Sequence, residues 1–206
     1  MDRVTVHVAP GATGSEGSGT SRRKVCSRAC SNADCASAET PGEPHRISYL
    51  AASPLQRAQE TATPIAAAHG VPILTNDDLI EADNVFEGLK VSVGDGALSK
   101  PRHWPKLRDP FTPSWGEPYL QIAHRMVGVV DIARERARGH EAVLVSHQLP
   151  VVTLRRHLEG KRLWHDPRNR QCSLASLTSL VYDGDELVDL VYSEPAGATD
   201  PLVRGA

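Results

Sequence analysis

The chain has 206 residues, of which 40% are hydrophobic, and a formal net charge of -2. This length and composition predict one ordinary soluble domain with a single core rather than two domains. The near-neutral charge argues against a nucleic acid partner and suits a small phosphate ester better than a polymer. No apolar run approaches the roughly 18 residues that span a bilayer, and the start lacks a secretion signal, so we expect a cytoplasmic protein with no membrane partner.

The amino-terminal stretch begins with a strand pattern and then loses it. Val4-Thr5-Val6-His7-Val8 alternates as a strand does, whereas Val25 is the only large aliphatic residue between Val8 and Ile47. A stretch of that composition cannot supply the apolar stripe of a packed helix. We therefore predict a first strand within residues 1–8 and a disordered or aberrant segment over residues 9–45.

Three of the four cysteines, Cys26, Cys30 and Cys35, lie in this segment, and Cys172 stands alone. Their spacing is not that of a usual zinc site, and cytosolic chains rarely form disulfides. We expect no metal and no cofactor, and a metal-binding module built on the three cysteines is the weakest alternative. The tract from Gly14 to Thr20 lacks the lysine and the following helix of a phosphate-binding loop.

Ordered elements are predicted from Arg46 onward. Residues 47–52 are typical of a buried strand, after which Ser53 is predicted to cap a helix that opens at Pro54, kinks at Pro64 and ends before Gly70. Residues 71–74 contain a proline, which favours an edge strand. Residues 82–116 predict a long excursion over the active face with only short helices.

The second half of the chain alternates helix and strand patterns. Apolar residues at three- and four-residue spacing predict a helix from about Leu120 to Arg138, followed by a buried strand at 142–145 and a helix from Pro150 to about Glu159. Residues 173–182 and 186–192 flank Asp183-Gly184 and predict a hairpin. The alternation implies a three-layer α/β/α sandwich over residues 46–194, with residues 195–206 as a C-terminal tail.

Two segments place phosphate-competent side chains directly after predicted strands. They are Ser53-Pro54-Leu55-Gln56-Arg57-Ala58-Gln59-Glu60-Thr61-Ala62 and Val143-Leu144-Val145-Ser146-His147. Ligands of open α/β sheets gather beyond the carboxyl ends of strands, so Ser53 and His147 are expected to face one pocket. Arg57 could hold a phosphate through its planar fork of donors, although an isolated arginine is more often a solvated residue paired with a nearby glutamate.

These two segments, together with Leu79-Ile80-Glu81, resemble the histidine phosphatase superfamily, also called the phosphoglycerate mutase-like fold, from about Arg46 to Glu194. The resemblance implies that Arg57 and His147 bind phosphate, that His147 also has a catalytic role, and that Glu81 is the general acid. That acid needs a raised pKa from partial burial. A surface glutamate and a buried structural histidine remain open alternatives, and Gln148 stands where the family has glycine.

One family motif is absent. The family follows its first strand with Leu/Val-Arg-His-Gly, whose histidine carries the phosphate, whereas this chain has Ala9-Pro10-Gly11-Ala12-Thr13-Gly14. Loss of the nucleophile should remove nearly all turnover, and His7 lies within the strand rather than at its end. Three explanations stay open: a pseudoenzyme, a different nucleophile, or an altered reading frame between about Ala9 and His45. We favour the third, because an offset reading of codons for Arg-His-Gly can give Ala-Thr-Gly.

The resemblance therefore implies hydrolysis of small phosphomonoesters through a phosphohistidine in intact relatives, with that activity impaired in this chain. Mutase activity is less expected. The alternative is a noncatalytic phospholigand-binding pseudoenzyme or regulatory domain. The other histidines and tryptophans that we considered receive no role; they are His103, Trp104, His124, Trp164 and His165.

Overall fold

The structure is a computed structural model that describes residues 3–11, 46–82, 117–165 and 171–195. Within these ranges the elements are β1 (Arg3–Pro10), β2 (Ile47–Ala52), α1 (Gln56–His69), β3 (Leu74–Thr75), a 3-10 turn (Asp77–Leu79), α2 (Tyr119–Arg136), β4 (Glu141–Ser146), α3 (Gln148–Leu158), β5 (Leu177–Asp183) and β6 (Glu186–Ser193). The strands form one sheet in the order β3-β2-β4-β1-β5-β6. Strands β3, β2, β4 and β1 are parallel, and β5 and β6 are antiparallel additions.

Apolar side chains fill both faces of the sheet. Val6 of β1 packs in one core with Met126 of α2 and with residues of α3. Val145 of β4 packs in a second core with Ala58 and Ile65 of α1. Because α1 covers one face while α2 and α3 cover the other, the predicted three-layer α/β/α sandwich is confirmed.

The end of β1 lies against both β4 and α1. Pro10 pairs with Ser146, and the Gly11 N–H donates to the Ser146 carbonyl at 2.7 Å. A Cβ atom on Gly11 would lie 3.1 Å from Ala58 Cα and 3.2 Å from Ala58 N, both backbone atoms of α1. Because Gly11 has no side chain, β1 can end this close to α1. The strand ends at Pro10, two residues beyond its predicted end.

The prediction for the start of α1 was wrong by two residues. The helix begins at Gln56, and Leu55 occupies the capping position without a side-chain hydrogen bond. Ser53 instead continues the sheet, since its N–H donates to the Val145 carbonyl at 2.9 Å. The helix runs through Pro64 to His69 and ends at Gly70 in the left-handed conformation (φ 65°).

Other predicted elements are present with shifted ends. Helix α3 begins at Gln148, two residues before Pro150, and strand β5 begins at Leu177 rather than at residue 173. Strand β3 is at the sheet edge as predicted, but it is only two residues long. The predictions for residues 12–45, 83–116 and 196–206 lie outside the described residues.

None of the helices in the described ranges is long and apolar enough to cross a membrane.

Candidate functional site

Four polar side chains come together at the carboxyl edge of the parallel strands. Ser53 follows β2, His147 follows β4, Arg57 is the second residue of α1, and Glu81 lies two residues after the 3-10 turn. Strands β2 and β4 are hydrogen-bonded neighbours, so the residues that follow them meet at one edge of the sheet.

The structure brings the three predicted site residues into contact. Arg57 Nε donates to His147 Nδ1 at 3.0 Å. Arg57 Nη2 lies 3.7 Å from Glu81 Oε2, and His147 Nδ1 lies 3.9 Å from the same oxygen. The His147 side chain is only 1% exposed, whereas those of Glu81 and Arg57 are 29% and 33% exposed. His147 is therefore buried beneath Arg57 and Glu81, whose side chains are partly exposed to solvent.

The hydrogen bonds of His147 determine its protonation state. Because a guanidinium can only donate, Nδ1 must accept the bond from Arg57 and carry no proton. The proton of the neutral ring is then on Nε2, which donates to Ser53 Oγ at 2.8 Å. Ser53 is fully buried, and its hydroxyl also accepts from the Leu55 N–H at 3.3 Å.

The surroundings of His147 also disfavour its charged form. Burial is the largest cause, followed by the positive charges of Arg57 and Arg125, and together they lower the pKa from 6.5 to about 4. The imidazole is thus neutral at neutral pH. Its Nε2 proton already goes to Ser53, so His147 cannot act through that nitrogen as a base that activates the serine hydroxyl.

Three residues near these side chains were not identified from the sequence. Ser146 Oγ donates to the Leu79 carbonyl at 2.7 Å, and Arg125 on α2 contacts the same turn through the Asp78 carbonyl. Glu117 holds Arg125 in a two-bond pair. The position of Ser146 at the end of a strand, directly before His147, could have identified it from the sequence. Nothing local in the sequence marks Arg125 or Glu117, because Arg125 contacts a turn that lies much earlier in the chain and Glu117 contacts Arg125.

The end of β1 supplies no nucleophilic side chain to this site. Its last residues are Ala9 and Pro10, followed by Gly11. His7 lies within the strand, as predicted, where Nδ1 is 2.9 Å from Ser179 Oγ and Nε2 is 3.4 Å from Glu141 Oε2.

Several other residues from the sequence analysis have contacts of their own. Gln148 donates to the Cys172 carbonyl at 2.8 Å, and Cys172 is buried. His165 Nδ1 lies 2.9 Å from the Leu163 carbonyl oxygen, and the His124 ring packs edge-on to His157. The remaining candidates lie outside the described residues; they are Cys26, Cys30, Cys35, His103 and Trp104.

Comparison with known proteins agrees with this fold. Residues 26–193 match the family model of the histidine phosphatase superfamily, branch 1. The chain belongs to the histidine phosphatase superfamily.

Two curated relatives come from Mycobacterium tuberculosis. The uncharacterized protein Rv0525 is 68% identical over 150 residues, which cover 73% of this chain and 74% of the relative. The bifunctional protein Rv2228c is 33% identical over 115 residues, which cover 53% of this chain and 30% of the relative.

Solved structures share the fold at low sequence identity. YhfR from Bacillus stearothermophilus is 18% identical with a TM-score of 0.62, and the match covers 89% of this chain and 94% of that one. A mycobacterial glucosyl-3-phosphoglycerate phosphatase, Rv2419c, in complex with VO3 is 18% identical with a TM-score of 0.56, covering 87% and 92%. At this identity the likeness establishes the phosphoglycerate mutase-like fold.

Proposed function

We propose that the pocket at the ends of β2 and β4 binds the phosphoryl group of a small phosphomonoester. The observation that carries this proposal is the convergence of Arg57, Glu81 and His147, which come from three separate parts of the chain. A guanidinium fork suits phosphoryl oxygens, and Arg57 has donors beyond the one that it gives to His147. The phosphatase-like structural neighbours support the same class of ligand.

In this proposal each residue has a distinct role. Arg57 pairs with two phosphoryl oxygens, and His147 lies beneath the phosphorus with Nδ1 toward the ligand. A bound dianion favours the charged form of a neighbouring imidazole, so ligand binding raises the pKa of His147 from about 4. A proton from solvent then binds Nδ1, the Arg57 Nε–H leaves Nδ1 for a phosphoryl oxygen, and Nδ1–H donates to the ligand. Glu81, partly exposed at the pocket mouth, supplies the proton for the leaving oxygen.

We further propose that the chain binds such esters but hydrolyses them poorly. The described end of β1 offers Ala9, Pro10 and Gly11 where the family has its phosphate-carrying histidine. Neither His7, buried in the strand, nor Ser53, whose hydroxyl accepts a hydrogen bond from His147, is placed to attack phosphorus. Without a covalent carrier the two-step route is closed, which leaves a phospholigand-binding or regulatory role.

An altered reading frame within residues 9–45 is our explanation for the missing histidine. The 68%-identical relative and this chain are nearly equal in length, since the match covers 73% of one and 74% of the other. About a quarter of each chain therefore lies outside a match of high identity. Two compensating frame changes replace the residues between them while keeping the length, and the quarter of the chain outside the match leaves room for such a segment. Sequencing of genomic DNA and the intact mass of the protein test this explanation.

The binding proposal is tested with inorganic phosphate and calorimetry. Arg57→Met should weaken phosphate binding by about tenfold or more, because a charge-assisted pair is lost. Arg138→Met is the control, since Arg138 is exposed and pairs with Glu135 away from the pocket. Equal binding by wild type and Arg57→Met, or no binding by the folded wild type, would reject the proposal.

The impairment is tested on the same samples with a chromogenic phosphomonoester and a trap for phosphohistidine, which is labile in acid and stable in base. We expect neither sustained turnover nor an adduct. Turnover accompanied by a phosphohistidine adduct would show that another group carries the phosphate, and it would overturn the proposed impairment.

A further inference from the structure

The segment that carries Glu81 is held by groups from two other elements. It follows the 3-10 turn Asp77–Leu79, which begins with the Asn76 side chain accepting from the Asp78 N–H at 2.8 Å. Leu79 is fully buried, and its carbonyl accepts from Ser146 Oγ at 2.7 Å. The neighbouring carbonyl, that of Asp78, accepts from Arg125 Nη1. Two successive carbonyls are therefore fixed just before Glu81.

Arg125 is itself rigidly held. Its Nε donates to Glu117 Oε1 and its Nη2 to Glu117 Oε2, both at 2.9 Å. The two side chains are 12% and 14% exposed, so solvent screens the pair less than it screens most surface ion pairs. All three guanidinium nitrogens are engaged, in a planar arrangement that lysine cannot reproduce.

The charged groups near Glu81 come from every element that packs around it. Arg57 is contributed by α1, His147 by the end of β4 and Arg125 by α2, with Glu117 directly before α2. The turn itself adds Asp77 and Asp78. The field of Arg125 reaches the pocket, since its charge is one cause of the lowered pKa of His147.

We propose that Arg125, locked by Glu117, is a positioning residue that holds the Glu81 carboxyl group beside Arg57 and His147. This inference rests on the proposed function of the pocket. Arg125 contacts the backbone of the turn. It affects ligand binding by fixing the position of Glu81. The phosphate-holding groups belong to α1 and β4, which Arg125 does not support. Loss of Arg125 should therefore change the part that Glu81 contributes to anion binding, in addition to the direct effect of the lost charge.

Sulfate is the probe, because it is a dianion, and all measurements are made at one pH of about 8, well above the pKa of His147. In the wild-type background, Glu81→Gln should raise sulfate affinity by about tenfold, because it removes a negative charge close to the ligand. Arg125→Met should reduce that rise to about threefold or less, because Glu81 no longer stays beside the ligand. Arg134→Met is the matched control, since Arg134 lies on the same helix, is 15% exposed and forms an ion pair with Asp185.

A double-mutant cycle separates positioning from a structural role. The effect of Glu81→Gln is measured in the wild-type, Arg125→Met and Arg134→Met backgrounds, so that any direct effect of the lost arginine charge cancels. The Arg134→Met background should give the full wild-type gain, and an equal gain in folded Arg125→Met would overturn the inference. Should Arg125→Met fail to fold, Arg125→Lys keeps the charge and loses the fork, and a full wild-type gain there would overturn it equally.

The outcome also distinguishes this inference from the proposed function. A folded wild type that does not bind sulfate, or that binds it as Arg57→Met does, rejects the pocket itself. Sulfate binding that needs Arg57 but gains equally from Glu81→Gln with and without Arg125 rejects the positioning role alone.

Discussion

His147 sits in a hydrogen-bond arrangement that leaves little freedom of protonation. Arg57 donates to one ring nitrogen and Ser53 accepts from the other, and burial disfavours a charged ring. The two bonds hold the imidazole in a fixed tautomer and orientation at the floor of the pocket. An imidazole in this environment makes both the free energy of unfolding and ligand binding depend on pH.

Acid should destabilise the protein through His147. The folded-state pKa is about 4, compared with the ordinary value of 6.5. Between these values the unfolded chain binds the proton that the folded chain excludes, so the contribution is complete above about pH 6.5 and is lost as pH falls toward about 4. It amounts to about 3 kcal/mol at most. Urea unfolding across this window should show a smaller loss of stability for His147→Asn than for wild type, and equal losses would contradict the assignment.

Ser53 should matter for stability although it lies at the pocket. Ser53→Ala leaves the buried Nε2–H of His147 without its acceptor, which should cost about 1–3 kcal/mol in the free energy of unfolding. Ser179→Ala provides a comparison, because it removes the serine hydroxyl that lies beside His7 Nδ1, away from the pocket. Chemical denaturation of both variants measures the difference, and an unchanged Ser53→Ala would mean that another acceptor replaces the hydroxyl.

At the scale of the elements, the pocket depends on how closely β1, β4 and α1 approach one another. The N–H groups of Gly11 and Ser53 both donate to β4, at Ser146 and Val145, so all three strand ends are tied at one edge. Helix α1 begins directly beyond β2 and carries Arg57 in its first turn. Small residues at the contact, Gly11 and Ala58, let the helix lie close enough for Arg57 to reach His147.

Two glycine substitutions should have opposite effects. Gly11→Ala places a Cβ 3.1–3.2 Å from backbone atoms of Ala58 that cannot rotate away, and we expect a loss of about 1–3 kcal/mol. Gly128→Ala in the middle of α2 meets nothing within 4 Å and should stabilise the protein by about 0.5–1 kcal/mol. Thermal denaturation tests the pair. A stabilising Gly11→Ala would show that β1 and α1 can separate at no cost.

At the scale of the whole molecule, the described part of the chain has the fold of its superfamily and brings Arg57, Glu81 and His147 together at the expected edge of the sheet. Strands β1 and β4 run in register up to Pro10 and Ser146, so the sheet that supports the site is complete to its carboxyl edge. The departure from the family is therefore in the sequence directly after β1, where the Arg-His-Gly motif is absent.

A chimera tests whether the rest of the molecule is competent. Residues 9–45 are replaced by the matching stretch of the 68%-identical relative, with Arg-His-Gly placed after β1 if that stretch lacks it. We expect turnover of a chromogenic phosphomonoester and an acid-labile phosphohistidine, neither of which the parent chain should give. The Arg57→Met chimera is the control and should lose most of this turnover. A well-folded chimera without activity would mean that the pocket has diverged from catalysis.

The sequence alone determined the layer architecture and singled out three residues that the structure brings together. Strand and helix periodicities are strong in residues 47–70 and 120–192, and Arg57, Glu81 and His147 each stand in a recognisable segment. Element ends were less accurate: Ser53 and Pro54 had the pattern of a helix start, yet the chain keeps Ser53 in the sheet because its N–H has a partner in Val145.

Only the tertiary structure decided how the site residues are oriented and supported. The tautomer of His147 follows from Arg57, which is 90 residues away in the chain, and the turn before Glu81 is bonded by Arg125 and Ser146, which are distant from it in sequence. Periodicity reports which face of an element is buried, since burial is set by neighbours three or four residues away. It carries no information on which remote donor meets which acceptor, because that pairing exists only once the sheet and helices have packed.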